Sequence, residues 1–181
     1  VILATSKKKE NDIFVRIARE NNLSIFRGSE NDVLRRFAEA AKKNKAKNII
    51  RICADNPFID PEEIDKLISY FKVSNSNYAC NHRNLKNNNY ADGFGAEIFT
   101  ICLLEFLDKY ALEDNQREHV TSLLWQYPNL FKIDAIKASK ELAFPEYKFD
   151  VDEPNDLKKL KFLIEKGVNI NSSAKEIMSI A

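Results

Sequence analysis

The residues of this chain best placed to do chemistry are carboxylates that follow strand-like runs and precede helices started by proline. Asp55 follows Ile49-Ile50-Arg51-Ile52-Cys53-Ala54 and is trailed by Pro57 and by Asp60-Pro61-Glu62-Glu63. Asp150 and Asp152 close the run Tyr147-Lys148-Phe149-Asp150-Val151-Asp152, and Pro154 comes next. In open α/β sheets, ligands bind outside the carboxyl ends of the strands. Carboxylates far apart in sequence can therefore converge on one edge. Two of them suit Mg²⁺, a hard cation that takes one or two protein oxygens and leaves the rest to water and substrate phosphates. The same aspartates also fit a local role as turn and helix-capping residues, common before proline. Spacing alone leaves both readings open.

Two further groups are weaker. Arg27-Gly28-Ser29 ends a short apolar run and opens a helix. Glycine lets the backbone approach a ligand, the helix start offers N–H groups to an anion, and Arg36 adds charge about a turn later. A tight turn with a serine cap explains these residues equally. Arg117-Glu118-His119-Val120-Thr121 sits on a predicted helix, with Arg117 and Thr121 as i, i+4 neighbours. A solvated helix face with a lone histidine is the simpler account, and His82 in a polar loop reads as exposed.

Several classes of chemistry are excluded. The four glycines, Gly28, Gly93, Gly95 and Gly167, form neither a P-loop nor a dinucleotide fingerprint. No G-x-S-x-G elbow or H-E-x-x-H zinc motif occurs. Nucleic acid is not expected as a partner, because basic patches interleaved with aromatics are lacking and the net charge is only +1. Cys53, Cys80 and Cys102 have no C-x-x-C spacing, which favours a reducing, cytoplasmic setting. The apolar stretch Ile98–Leu107 is too short to span a bilayer.

The elements that must position these residues alternate. Val1–Thr5 reads as a strand, Asp12–Glu20 as a helix, Ser24–Phe26 as a strand, and Val33–Ala41 as an amphipathic helix opened by Ser29 and Asp32. The Ile49 run reads as a buried strand, and Asp60-Pro61 as a capped helix start. Tyr78–Cys80 is strand-like, 81–89 is an asparagine-rich loop, and Tyr90–Gly93 is a turn before an apolar segment ending at Phe99. Helices are expected at Ile101–Tyr110, Gln116–Gln126, Pro154 to Gly167, and Ser173–Ile180, with Tyr147–Asp152 as a strand. At 181 residues, 44% hydrophobic and 30% charged, the chain fits one soluble domain. The alternation implies an α/β, Rossmann-like three-layer sandwich with a mainly parallel sheet.

In order along the chain, six segments resemble the cytidylyltransferase family of sugar nucleotidyltransferases, in its SpsF-like branch related to acylneuraminate and Kdo cytidylyltransferases. They are Ala4–Ser6, Phe26–Phe37, Ile49–Asp65, Tyr90–Phe99, Arg117–Thr121 and Asp150–Leu157. The resemblance implies the nucleotide-diphospho-sugar transferase fold and transfer of a nucleotidyl group from CTP to a sugar, with release of pyrophosphate. It implies a catalytic pair, Asp55 and Asp152, holding Mg²⁺, with Asp150 as an additional ligand or a neighbour. It places Arg27, Gly28, Ser29 and Arg36 near the nucleotide, and Gly93, Glu97, Arg117, Glu118 and His119 toward the sugar. Related enzymes tend to be dimers, and Ile98–Leu107 offers apolar surface that would allow a homodimer, so the oligomeric state stays open.

One departure stands out. Family members begin with a strand and a loop resembling A-R-x-x-S-x-R-L-P-x-K that grips the triphosphate, and nothing like it occurs here. The chain opens in what would be the second strand, so residues 1–181 are expected to be a nucleotidyltransferase-like domain truncated at its N-terminus. Two alternatives follow: a non-catalytic or degenerate binding domain, or an enzyme that uses UTP or GTP with a sugar 1-phosphate.

Overall fold

The computed structural model of the protein describes residues 1–82 and 84–181. They fall into two compact units, Val1–Ile49 with Thr100–Phe131, and Ile50–Phe99 with Lys132–Ala181.

The first unit opens with strand β1 (Ile2–Ser6), a 3-10 turn at Lys9–Asp12, helix α1 (Ile13–Glu20) and strand β2 (Ser24–Gly28). β1 and β2 pair in parallel, from Ile2 opposite Ser24 to Ser6 opposite Gly28. Helix α2 (Val33–Lys43) starts where Asp32 accepts the Arg35 amide at 2.8 Å, and Asp32 is itself tied back to the Ser29 hydroxyl at 3.1 Å. The return passage supplies α4 (Ile101–Tyr110), α5 (Asp114–Glu118) and α6 (Ser122–Gln126), and α2 packs on α4 and α5. The single helix expected over Gln116–Gln126 is therefore two. His119 is extended, Val120 and Thr121 are buried, and the chain turns where the Ser122 amide donates to the His119 carbonyl at 2.7 Å.

The second unit carries strands β4 (Tyr78–Cys80), β5 (Glu97–Thr100, entering the first unit at its last residue) and β6 (Ile133–Ala135), with helices α3 (Pro61–Ser74), α7 (Pro154–Glu165) and α8 (Ala174–Ile180). Strand β3 (Asn48–Arg51) contributes Ile50 and Arg51, and the sheet runs β3-β5-β4-β6. β4 pairs with β6 in parallel and with β5 antiparallel. Two apolar clusters fill this unit. One joins Tyr90, Phe94 and Phe149 to Leu160, Leu163 and Ile177 of α7 and α8, and the other sets Leu67 and Phe71 of α3 on Ala79, Ala96 and Ile98.

The Ile49 run is not buried along its length. The strand stops at Arg51, and Ile50 and Ile52 are exposed, because β3 lies at the end of the strand order and has a neighbour on one side only. Asp55 thus sits in the turn after the strand rather than at its last residue. Tyr147–Asp152 forms no strand either. It makes one parallel bridge, Lys148 opposite Asp92, and then bends at Asp150 and Asp152 into the start of α7.

Asp60 shows how the local signals are reused over distance. One carboxylate oxygen caps α3 through the Glu62 amide at 2.8 Å, and the other accepts the Ala174 amide that opens α8, also at 2.8 Å. Among the described residues no helix is long and apolar enough to cross a membrane.

Candidate functional site

In the second unit, the turn holding Asp55 meets the Asp150–Asp152 segment through the main chain. The Val151 amide donates to the Asp55 carbonyl at 2.9 Å. The other end of the same segment is held by Asp92, whose amide donates to the Tyr147 carbonyl and whose carbonyl accepts the Phe149 amide, both at 3.0 Å. Phe149 is buried and Val151 half-buried, while Lys148 is exposed. The bends then fold Asp152 back on Lys148, whose ammonium hydrogen-bonds Asp152 Oδ2 and lies 3.4 Å from Asp150 Oδ2. The hydrogen bond to Asp152, with the charge of Asp150, holds the Lys148 ammonium above the usual lysine range.

Asp55 and Asp152 are exposed, whereas Asp150 is largely covered. Its Oδ1 is buried and has no hydrogen-bond partner among the described residues. A buried carboxylate oxygen without a partner costs free energy unless a cation or donor arrives. That open acceptor fits Mg²⁺, with Asp150, Asp152 and Asp55 as the residues that would hold it. No group of three or more His, Cys, Asp or Glu side chains converges among the described residues. Such a cage is not needed by an ion that leaves most of its positions to water and phosphate.

Gly93 and Glu97 belong to this unit and are structural in their surroundings. Gly93 has φ +109°, and a Cβ there would lie 2.9 Å from Phe149 Cβ, so this position needs glycine for conformation and for close approach. Glu97 is buried, hydrogen-bonded by Arg51 and, at 2.8 Å, by the Tyr78 hydroxyl. Burial works against its charge, but Arg51 and His82 outweigh that and hold its carboxyl below the usual carboxylate range.

The remaining candidates lie in the first unit. Arg27 donates to the Ser6 and Lys8 carbonyls at 2.9 and 2.8 Å and pairs with Asp12 at 2.7 Å. A Cβ on Gly28 would lie 2.8 Å from Arg36 Cγ, and Arg36 donates to the Ser29 carbonyl at 2.6 Å. Arg117 grips both oxygens of Asp32, at 3.0 and 2.7 Å, and the Asp108 carboxylate and carbonyl, each at 2.7 Å. Glu118 and His119 are exposed beside it. The arginines expected at a ligand therefore tie loops and helices together. An apolar hollow of about 330 Å³ in this unit, lined by Phe106, Tyr110, Leu123, Tyr127 and Phe131 among others, carries none of the candidates. Of Ile98–Leu107, the residues Ile98, Phe99, Leu103, Leu104 and Leu107 are buried within the chain, leaving Phe106 as its exposed large apolar side chain.

A family model for cytidylyltransferases matches residues 1–177. The chain belongs to that family. Among curated relatives, a protein of Methanocaldococcus jannaschii is 36% identical over 158 residues, covering 87% of this chain and 63% of that protein. The spore coat polysaccharide biosynthesis protein SpsF of Bacillus subtilis is 31% identical over 182 residues, covering 99% of this chain and 73% of that protein. A solved cytidylyltransferase from Leptospira borgpetersenii serovar Hardjo-bovis superposes with TM-score 0.88 at 27% identity, over 99% of this chain and 74% of that one. The α/β fold is thus the cytidylyltransferase fold, and this chain spans less than two thirds of the first of these relatives. Lys148 touches Asp150 and Asp152, the Asp92 main chain holds the run leading to them at Tyr147 and Phe149, and sequence reasoning gave neither a role there. The signal for Lys148 was present in the alternation Lys148, Asp150, Asp152, read only for its carboxylates.

Proposed function

We propose that this cytidylyltransferase transfers a nucleotidyl group from CTP to a sugar with Mg²⁺ bound, releasing pyrophosphate for polysaccharide or glycan assembly, in the cytoplasm and as a homodimer. The observation that carries the reading is the Asp55–Val151 main-chain contact, which sets one exposed carboxylate beside a segment bearing two more. Family membership and the likeness to SpsF support the nucleotide and the polysaccharide setting. When bound, Mg²⁺ neutralises triphosphate charge and orients the α-phosphorus for in-line attack. The chain's own contribution is to hold Asp55, Asp150 and Asp152 on a main chain clamped at both ends, so that little ordering is left for the moment of binding.

Calorimetric titration of the intact protein with CTP tests this, with and without Mg²⁺. Binding that requires Mg²⁺ and is lost in Asp55→Ala is expected, and equal binding by wild type and Asp55→Ala would sink the proposal. UTP and GTP in parallel titrations test the alternative nucleotides. A second reading, a non-catalytic binding domain, is favoured by the engagement of Arg27 and Arg117 with protein partners. It predicts no nucleotide-induced rise in melting temperature.

A further inference from the structure

Lys148 is placed oddly for a residue next to a cation site. Its own positive charge already sits between Asp150 and Asp152, the two carboxylates that would receive the metal. We propose that Lys148 is a resident counter-ion, occupying the cation position in the empty site and swinging out when a divalent metal enters. Its ammonium then stays at the rim as a contact for the polyphosphate of the incoming nucleotide. This rests on the metal-dependent reading given above.

Three observations carry the inference. First, two carboxylates on one face of a short bent segment repel each other when both are ionised, and a single ammonium touching both relieves that repulsion. Second, the main chain of the segment is clamped by Asp92 at one end and by the Asp55 carbonyl at the other, whereas the Lys148 side chain is 47% exposed. Rearrangement can therefore be confined to a flexible four-carbon stem carrying three rotatable donors. Third, Asp150 Oδ1 has no partner among the described residues, so Lys148 leaves one oxygen of the pair open to the metal. A metal and an ammonium cannot share the same carboxylate oxygens without repulsion. Entry of one must displace the other, and the displaced charge is then available to phosphate oxygens.

The test is Mn²⁺ binding, followed by the electron paramagnetic resonance signal of the free ion, on the intact wild type, Lys148→Met and Lys148→Arg. The methionine variant keeps most of the length of the side chain and removes its charge. It is expected to bind Mn²⁺ alone about fivefold to tenfold more tightly, the scale of one or two partly exposed ion pairs removed. Binding of CTP in the presence of Mn²⁺ is expected to weaken. Lys148→Arg, which keeps the competing charge, is expected to bind Mn²⁺ as the wild type does. Unchanged or weaker Mn²⁺ binding by Lys148→Met, with circular dichroism and melting like wild type, overturns the counter-ion role and leaves the metal site standing. Absence of Mn²⁺ binding in all three proteins, with or without CTP, overturns the metal site and this inference with it.

Discussion

The Asp55 carbonyl accepts the Val151 amide at 2.9 Å, while the Asp55 side chain stays exposed. Fold and the proposed chemistry thus fall to two different parts of one residue. Asp55→Ala keeps the carbonyl and removes the carboxylate. Its unfolding free energy in urea is expected to stay within about 0.5 kcal/mol of wild type, as for an exposed side chain free of structural duty. Metal-dependent CTP binding is expected to fall at least about tenfold, the cost of one lost charge-assisted contact. A large loss of stability would show that the carboxylate itself holds the turn.

Asp60 carries a double duty that is purely structural. Its two oxygens accept the Glu62 and Ala174 amides, and the residue is 5% exposed. Asp60→Ala removes two helix-starting hydrogen bonds and is expected to cost about 2 to 3 kcal/mol, since each such cap is worth on the order of 1 kcal/mol and burial adds to it. Chemical denaturation reads this directly. Asp60→Asn, which can still accept through one oxygen, is expected to recover about half of it.

The buried pair of Glu97 and Arg51 sets an acid limit on stability. Arg51, helped by His82, holds the Glu97 carboxyl below its ordinary range although burial opposes this. A carboxyl lowered on folding adds stability that is fully present above its unfolded value, near about 4.3, and is lost as pH falls toward the folded value. Wild-type stability is therefore expected to fall as pH drops below about 4.3. Glu97→Gln is expected to cost about 3 kcal/mol at neutral pH, because Arg51 is left without its counter-charge, and to flatten the acid limb. Urea titrations at several pH values test both.

Two glycines separate crowding from conformation. A Cβ on Gly95 would lie 2.3 Å from the Asn81 carbonyl oxygen, and the Asn81 side chain accepts the Ala96 amide at 3.0 Å. Gly95→Ala is expected to cost about 3 kcal/mol, as for overpacking a close-packed site. Gly167 has φ +104° with open space around it, so Gly167→Ala is expected to cost only about 1 kcal/mol from the backbone. Similar thermal shifts for the two would contradict the structure.

Local chemistry was legible in the sequence wherever it decides an element by itself. Asp60-Pro61 starts α3, Thr5 lies in β1, Pro154 opens α7, and Ser173 caps α8. What was not legible depends on partners far along the chain. The three-residue strand β6 is too short to carry a period, and its place is set by pairing with Tyr78–Cys80. The alternation of 147–152 was real, but whether it became a strand depended on a neighbour, and Asp92 supplies a single bridge. The resemblance placed Glu97 toward the sugar, while its burial against Arg51 and Tyr78 was not legible because those partners are remote in sequence. Lys148 was overlooked because a lysine a few residues before two aspartates reads as solubility until its side chain is placed.

The division of the chain has a consequence for biosynthesis. Each unit is assembled from two separate stretches, so the first cannot close until Phe131 has been made, and the second waits for Ala174 to reach Asp60. During translation, Leu67, Phe71 and Phe94 are made well before the final stretch that covers part of them. Over that interval the growing chain carries apolar surface that its own later residues will cover, the kind of surface that promotes aggregation in incomplete folds.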